Sequence, residues 1–212
     1  MAMIDDNSKE QIKKIFEPMK ESVKVLLVTT KDNCDTCEDT ENFVREVTET
    51  SEKIVFEVID INDEKAKQFD IERTPAIVLL GAEDKDYGIK FYGIPAGHEI
   101  NSFIMGLLEV SGAGEKLPDS MTERITKIDK PIDIKVFITL SCPHCPGAVA
   151  KAHKLAFMNK NINAEMIEAN TFGELSQKFN VSGVPKIVFN EGDQELLGDQ
   201  PLEAFLNTIE GL

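Results

Sequence analysis

The chain has 212 residues, 42% of them hydrophobic, which suits one or two domains with sizeable cores. It contains no apolar run of about 18 residues, so no membrane-spanning helix is expected. The formal net charge of −15 argues against nucleic acid and anionic membrane surfaces as partners.

In chain order, Met1-Ala2-Met3-Ile4-Asp5-Asp6-Asn7 is acidic and lacks the apolar segment of a secretory signal, which points to a cytoplasmic location. Ile12, Ile15, Phe16 and Met19 recur at helical spacing over 8–22, and Pro18 is expected to bend or shorten that helix. A strand over 23–30 leads through Lys31-Asp32-Asn33 into Cys34-Asp35-Thr36-Cys37 and a helix to about residue 51. Residues 54–59 read as a buried strand, and Asn62 or Asp63 can cap a short helix through Phe69. Arg73-Thr74-Pro75 opens a strand over 76–80. A second strand over 87–92, the turn Gly93-Ile94-Pro95-Ala96-Gly97 and a helix over 98–110 follow. Residues 111–118, rich in small and breaker residues, form the one clear linker. Beyond it the pattern repeats: helix 120–129, strand 132–140, Cys142-Pro143-His144-Cys145, helix 147–159, strand 164–168, helix 172–179, Val184-Pro185, strands 186–189 and 194–197, and helix 202–209.

All four cysteines fall in the two Cys-x-x-Cys motifs, each set between a strand and a helix. A cysteine at a helix start faces unpaired backbone N–H groups and the positive end of the helix dipole, which stabilise the nucleophilic thiolate. A second cysteine one turn away can resolve the mixed disulfide that the first one forms. Cys34 and Cys142 are therefore expected to attack, and Cys37 and Cys145 to resolve.

The repeat extends past the cysteines. Residues 68–78, Gln-Phe-Asp-Ile-Glu-Arg-Thr-Pro-Ala-Ile-Val, align without a gap on residues 178–188, Lys-Phe-Asn-Val-Ser-Gly-Val-Pro-Lys-Ile-Val. A proline opening a strand must lie at an edge or in a special conformation, and X-Pro bonds admit the cis form.

Strand, Cys-x-x-Cys, helix, then Thr-Pro or Val-Pro before a strand resembles the thioredoxin–glutaredoxin superfamily. The doubled form resembles the glutaredoxin-like protein disulfide oxidoreductases of thermophilic archaea and bacteria over almost the whole chain, including residues 91–99, Phe-Tyr-Gly-Ile-Pro-Ala-Gly-His-Glu. The resemblance implies an α/β fold of two tandem thioredoxin-like domains, 1–117 and 118–212, each a central mixed sheet flanked by helices, with the sheets joined edge to edge. It implies that Pro75 and Pro185 are cis and lie against the disulfides, and that Thr74 and Val184 offer their backbones to an extended substrate. One departure matters: thioredoxins keep a buried acid six residues before the first cysteine, and here those positions are Val28 and Val136. Glu57 and Glu168 are substitutes by elimination, against the plainer reading of edge or exposed carboxylates.

The expected activity is thiol–disulfide exchange on protein disulfides, with a thioredoxin-type reductase as a partner, no metal, and no cofactor beyond the redox-active disulfides. A dedicated electron carrier to a peroxidase is the alternative. A four-cysteine metal site is the rival from another class, but paired zinc motifs lie about 15–20 residues apart, far closer than Cys37 and Cys142. A redox-inert interaction module is the remaining one. His98 and His153 are assigned no role. Asp35 and His144 are expected to tune their neighbouring cysteines in opposite senses, Asp35 opposing the thiolate and a His144 cation favouring it.

Overall fold

The computed structural model describes residues 3–212; Met1 and Ala2, the first residues of the acidic start, lie outside the described residues. The first repeat runs α1 (Asp6–Phe16), β1 (Val23–Thr29), α2 (Cys37–Thr48), β2 (Ile54–Asp60), α3 (Glu64–Lys67), β3 (Ala76–Leu80), β4 (Asp86–Tyr92) and α4 (Ile100–Val110). The second runs α5 (Asp119–Thr126), β5 (Ile132–Ile138), α6 (Cys145–Met158), β6 (Ile162–Glu168), α7 (Gly173–Lys178), β7 (Lys186–Phe189), β8 (Gln194–Leu197) and α8 (Leu202–Glu210). Helix α1 differs from the expected span at both ends. It starts earlier because the Asp5 carboxylate accepts a hydrogen bond from the Ser8 N–H at 3.0 Å and caps it. It stops at Phe16 because Pro18 has no N–H to continue the ladder and disfavours helical geometry before it.

The strands form one continuous eight-stranded mixed sheet in the order β2-β1-β3-β4-β6-β5-β7-β8. Each repeat contributes four neighbouring strands, and β4 joins β6 in parallel, from Ile89↔Ala164 to Tyr92↔Ile167. Following the pairings from β1 through β3, β4 and β6 to β5 shows that β1 and β5 point the same way. Both Cys-x-x-Cys segments therefore leave the same rim of the sheet. They are four strand spacings apart, about 19 Å at ~4.8 Å per strand.

Alternation along β1 explains why both faces are covered. Val23, Val25 and Leu27 belong to the core under α1, α2, α4 and α6, whereas Leu26 and Val28 belong to the core on the side of α3 and α7. A strand buried on both faces reads as a nearly unbroken apolar run. β2 does not meet the expectation of a buried strand. It forms one edge of the sheet, its central residues are only half-buried, and Val55 is 50% exposed.

The junction between repeats is packed on both sides of the sheet. On one side the buried His153 ring meets Phe91 edge-on at 4.6 Å, and Lys154 on α6 pairs with Glu109 on α4 at 2.8 Å. On the other, Tyr92 meets Phe172 edge-on at 6.0 Å with the Arg73 guanidinium over its ring. Backbone approach is as tight: a Cβ on Gly93 would lie 2.7 Å from Glu168 Cβ, and one on Gly97 would lie 2.5 Å from the Leu140 carbonyl oxygen. Both glycines have positive φ, +97° and +60°.

Gly97→Ala is accordingly expected to lower unfolding stability by more than the ~1–2 kcal/mol of a left-handed residue alone. Gly112→Ala, at φ +77° with no heavy atom nearer than 3.9 Å, is the control and is expected to cost only that conformational part. Urea denaturation of the two variants measures the difference. Equal losses would show that the Gly97–Leu140 approach contributes nothing.

Candidate active site

In both repeats the helix proper begins at the second cysteine. Thr36 is the N-cap of α2 and His144 that of α6. Cys34 and Cys142 therefore stand just outside the helix, ahead of the free N–H groups of its first turn, rather than at its first residue. The pairs Cys34–Cys37 and Cys142–Cys145 are disulfides, each with Cα atoms 5.5 Å apart. Cys145 is fully buried and Cys37 is 5% exposed. Cys34 is half-buried, and Cys142, at 8%, is the more exposed residue of its pair.

The peptide bonds Thr74-Pro75 and Val184-Pro185 are both cis, as the resemblance implies. Each is held in the same way. The N–H of Gly93, just after β4, donates to the Pro75 carbonyl at 3.0 Å, and that of Gly198, just after β8, donates to the Pro185 carbonyl at 2.8 Å. Val184 packs on the apolar cluster that contains Cys142 and Cys145.

The electrostatic surroundings of the two disulfides differ. Asp32, Asp35, Glu38 and Asp39 are all exposed around Cys34 and Cys37. The segment from Leu140 to Ala150 carries no carboxylate of its own, and Pro143 and His144 between the cysteines are exposed; Asp199 reaches the first turn of α6 at Gly147, where Lys151 pairs with it.

Neither carboxylate singled out from the sequence is suited to act on a resolving cysteine. Glu57 alternates onto the face opposite α2, where Lys65 holds it at 2.7 Å. Glu168 is buried, but its oxygens accept hydrogen bonds from the Asn170 side chain, the Thr171 N–H and the Thr171 hydroxyl at 2.7–2.9 Å, closing the turn after β6. Glu99, which local sequence patterns do not single out, is different. It ends the 3-10 turn Gly97–Glu99, which packs on α6, while the neighbouring His98 N–H donates to the Leu140 carbonyl at 3.0 Å, two residues before Cys142. The side chain is fully buried; Ser102 Oγ donates to Oε2 at 2.5 Å and Oε1 has no partner among the described residues. Burial pushes its carboxyl up to about 7, against a smaller opposing effect of the Ser102 hydrogen bond. The available signal was its place in the Gly-Ile-Pro-Ala-Gly-His-Glu segment. Nothing in that segment says that the first repeat lends it to the second.

Strand, Cys-x-x-Cys, helix and a cis-proline ahead of an antiparallel strand, repeated along one sheet, define a tandem thioredoxin-fold protein with two disulfide centres. A family profile described as thioredoxin domain matches residues 132–210. The NTD N/C domain of alkylhydroperoxide reductase AhpF from Enterococcus faecalis superposes with a TM-score of 0.91 at 29% identity, covering 97% of this chain and 99% of that one. A protein disulfide oxidoreductase from Aeropyrum pernix superposes with a TM-score of 0.88 at 26% identity, covering 97% and 92%. The AhpF protein of the Staphylococcus aureus alkyl hydroperoxide reductase is 29% identical over 188 residues, 89% of this chain. The chain spans only 34% of that protein's length.

The raised Glu99 carboxyl sets a pH dependence with a definite sign. Its folded-state value exceeds its unfolded one, so the folded state binds more protons between them and stability falls as pH rises through that window. Glu99→Gln is expected to match the native chain near pH 4.5 and to be more stable at pH 8, by up to about 3 kcal/mol. Denaturant midpoints across this range test it; a pH-independent difference would remove Glu99 as the titrating group.

Proposed function

We propose that the chain moves electron pairs by thiol–disulfide exchange, with protein disulfides as substrates and a thioredoxin-type reductase as the source of reducing equivalents. The observation that carries this reading is the pairing, twice over, of a disulfide at a helix start with a cis-proline loop. In the reduced state the Cys142 thiolate attacks a substrate disulfide, forming a mixed disulfide and releasing one substrate thiolate. The Cys145 thiolate then attacks Cys142 Sγ, freeing the second substrate thiol and leaving Cys142–Cys145 oxidised. Cys34 and Cys37 have the same division of roles. The two electrons leave with the substrate and reside in the protein only as the dithiol, so the exchange needs no bound organic cofactor. Glu99, buried beside α6 and half-protonated near neutrality, accepts the proton of Cys145 as its thiol becomes nucleophilic.

The cis-proline loops are the substrate-binding elements of this reading. The backbone groups of Thr74 and Val184 have no backbone partner among the described residues, and Pro75 and Pro185 are buried beneath them. An extended substrate segment can pair there as an added strand. The proposed units are 1–117 and 118–212, and the proposed location is the cytoplasm, where Cys-x-x-Cys motifs stay available for exchange. A metal shared by all four cysteines is incompatible with pairs about 19 Å apart on one sheet, given Zn–S bonds of about 2.3 Å. A peroxidase disulfide is the favoured physiological acceptor, because the chain aligns over most of its length with part of an alkyl hydroperoxide reductase protein.

The reading is tested by trapping. Cys37→Ser and Cys145→Ser are expected to accumulate mixed disulfides with substrate proteins, and Cys34→Ser and Cys142→Ser are not. Non-reducing electrophoresis distinguishes them; equal trapping by both members of a pair would refute the division of roles.

The two centres are also expected to differ in potential. Asp35, with Glu38 and Asp39 nearby, disfavours a thiolate at Cys34, whereas the two residues between Cys142 and Cys145, Pro143 and His144, carry no carboxylate, and Asp199 at the first turn of α6 is paired with Lys151. A better stabilised thiolate means a more stable reduced form and a more oxidising disulfide. A difference of ~1.4 kcal/mol in that stabilisation separates the potentials by ~30 mV, with Cys142–Cys145 the more oxidising. Redox titration of variants retaining one pair each measures this, and an equal or higher N-terminal potential would overturn it.

A further inference from the structure

The two repeats follow one another along the sheet in the same orientation, β2-β1-β3-β4 and then β6-β5-β7-β8. They are related by a step along the sheet, so the arrangement has no closing symmetry, and head-to-tail contacts of this kind generate open filaments unless something stops them. The outer edges repeat the geometry of the inner ones. Lys186↔Leu197 in the second repeat corresponds to Ala76↔Tyr92 in the first, so Leu197, Leu196, Glu195 and Gln194 on β8 stand where Tyr92, Phe91, Lys90 and Ile89 stand on β4. In the same way β2 on β1 repeats β6 on β5: Val23↔Ile54 matches Ile132↔Ile162, and Glu57 stands where Glu165 stands. A second copy is thus offered a ready edge on which to continue the sheet, β8 against β2 as β4 lies against β6. Leu197 on β8 and Val55 on β2 are 63% and 50% exposed, so each edge also shows apolar surface.

At one register position the inner and outer junctions differ in the sign of a charge. Inside the molecule Lys90 stands opposite Glu165 in the ladder. Between copies, the same register would put Glu195 opposite Glu57. We propose that this carboxylate pair ends the sheet at eight strands: the β2 edge accepts a strand that brings a cation opposite Glu57 and rejects the chain's own β8. Like charges directly opposite disfavour pairing, and charged residues on edge strands are a recognised guard against sheet extension. Each glutamate is also held by cations of its own chain, Glu57 by Lys65 and Lys24, which Asp84 shares, and Glu195 by Lys186 of the inner strand β7, so among the described residues neither edge has a free cation to offer the other's carboxylate at this position.

A charge-swap set tests this. Glu57→Lys and Glu195→Lys each restore an opposite-sign pair between copies, and the double variant restores a like-sign pair of lysines. Sedimentation velocity at low salt over a concentration series is expected to show each single variant associating at least about tenfold more tightly than the native chain, with the double variant no more associated than the native chain. An equimolar mixture of the single variants is expected to form no mixed species, because its cross-pairs are again alike in sign. Circular dichroism and disulfide content report that each variant is folded. Folded single variants that associate no more than the native chain, or a double variant that associates as strongly as the singles, would overturn the proposal.

Discussion

The parallel ladder between β4 and β6 is the constraint on which the rest of the molecule depends. In a single repeat β4 would be an exposed edge with unpaired backbone groups. Here β6 covers it, and Gly93 and Gly97 let the two backbones approach where any Cβ would collide. The ladder fixes the direction of β5 relative to β1, which places both disulfides on one rim. It also carries the β4–α4 connection across the boundary, and so lays Glu99 against α6. Burying His153 under the same junction pushes its imidazole down to about 3, leaving it neutral at physiological pH and compatible with its contact to Phe91.

The two centres are therefore alike in chain geometry and unlike in environment. The second has the first repeat at its flank, supplying a buried carboxyl and bracing the Leu140 carbonyl ahead of Cys142. The first has the open β2 edge at the corresponding flank and exposed carboxylates around its cysteines. Two copies of one motif thus sit in two different environments on a shared strand–disulfide–helix framework. Position along a head-to-tail sheet sets their flanks, and the residues around the cysteines set their local charge.

Much of this was readable in the residues. The Cys-x-x-Cys pairs, the paired prolines and the run of element types follow from local patterns, and strands β3, β7 and β8 lie where alternation and breaker residues put them. What escaped was non-local. Alternation in β2 does not tell an edge strand from an inner one. The position six residues before the first cysteine was also a poor guide. The loop before Cys34 is one residue longer than that before Cys142, so Val28 and Val136 face opposite sides of the sheet, and Leu27 is the register counterpart of Val136. Glu99 was missed for the same reason: its partner elements lie in the other repeat, and one-dimensional spacing carries no sign of that.

The same geometry limits how electrons can move. Exchange between two disulfides requires an attacking sulfur in contact with the one attacked, along the axis of the breaking bond. The two centres leave one rim about 19 Å apart, separated by three strands of a packed sheet, and each Cys-x-x-Cys is tied to a helix docked on that sheet. No side-chain rotation spans such a gap. Direct transfer between Cys34–Cys37 and Cys142–Cys145 is therefore closed within one molecule, and under the proposed function any exchange between them would run through a separate dithiol that reaches both. Placing the two sites on a common rim makes reaching both a lateral step rather than a passage around the protein.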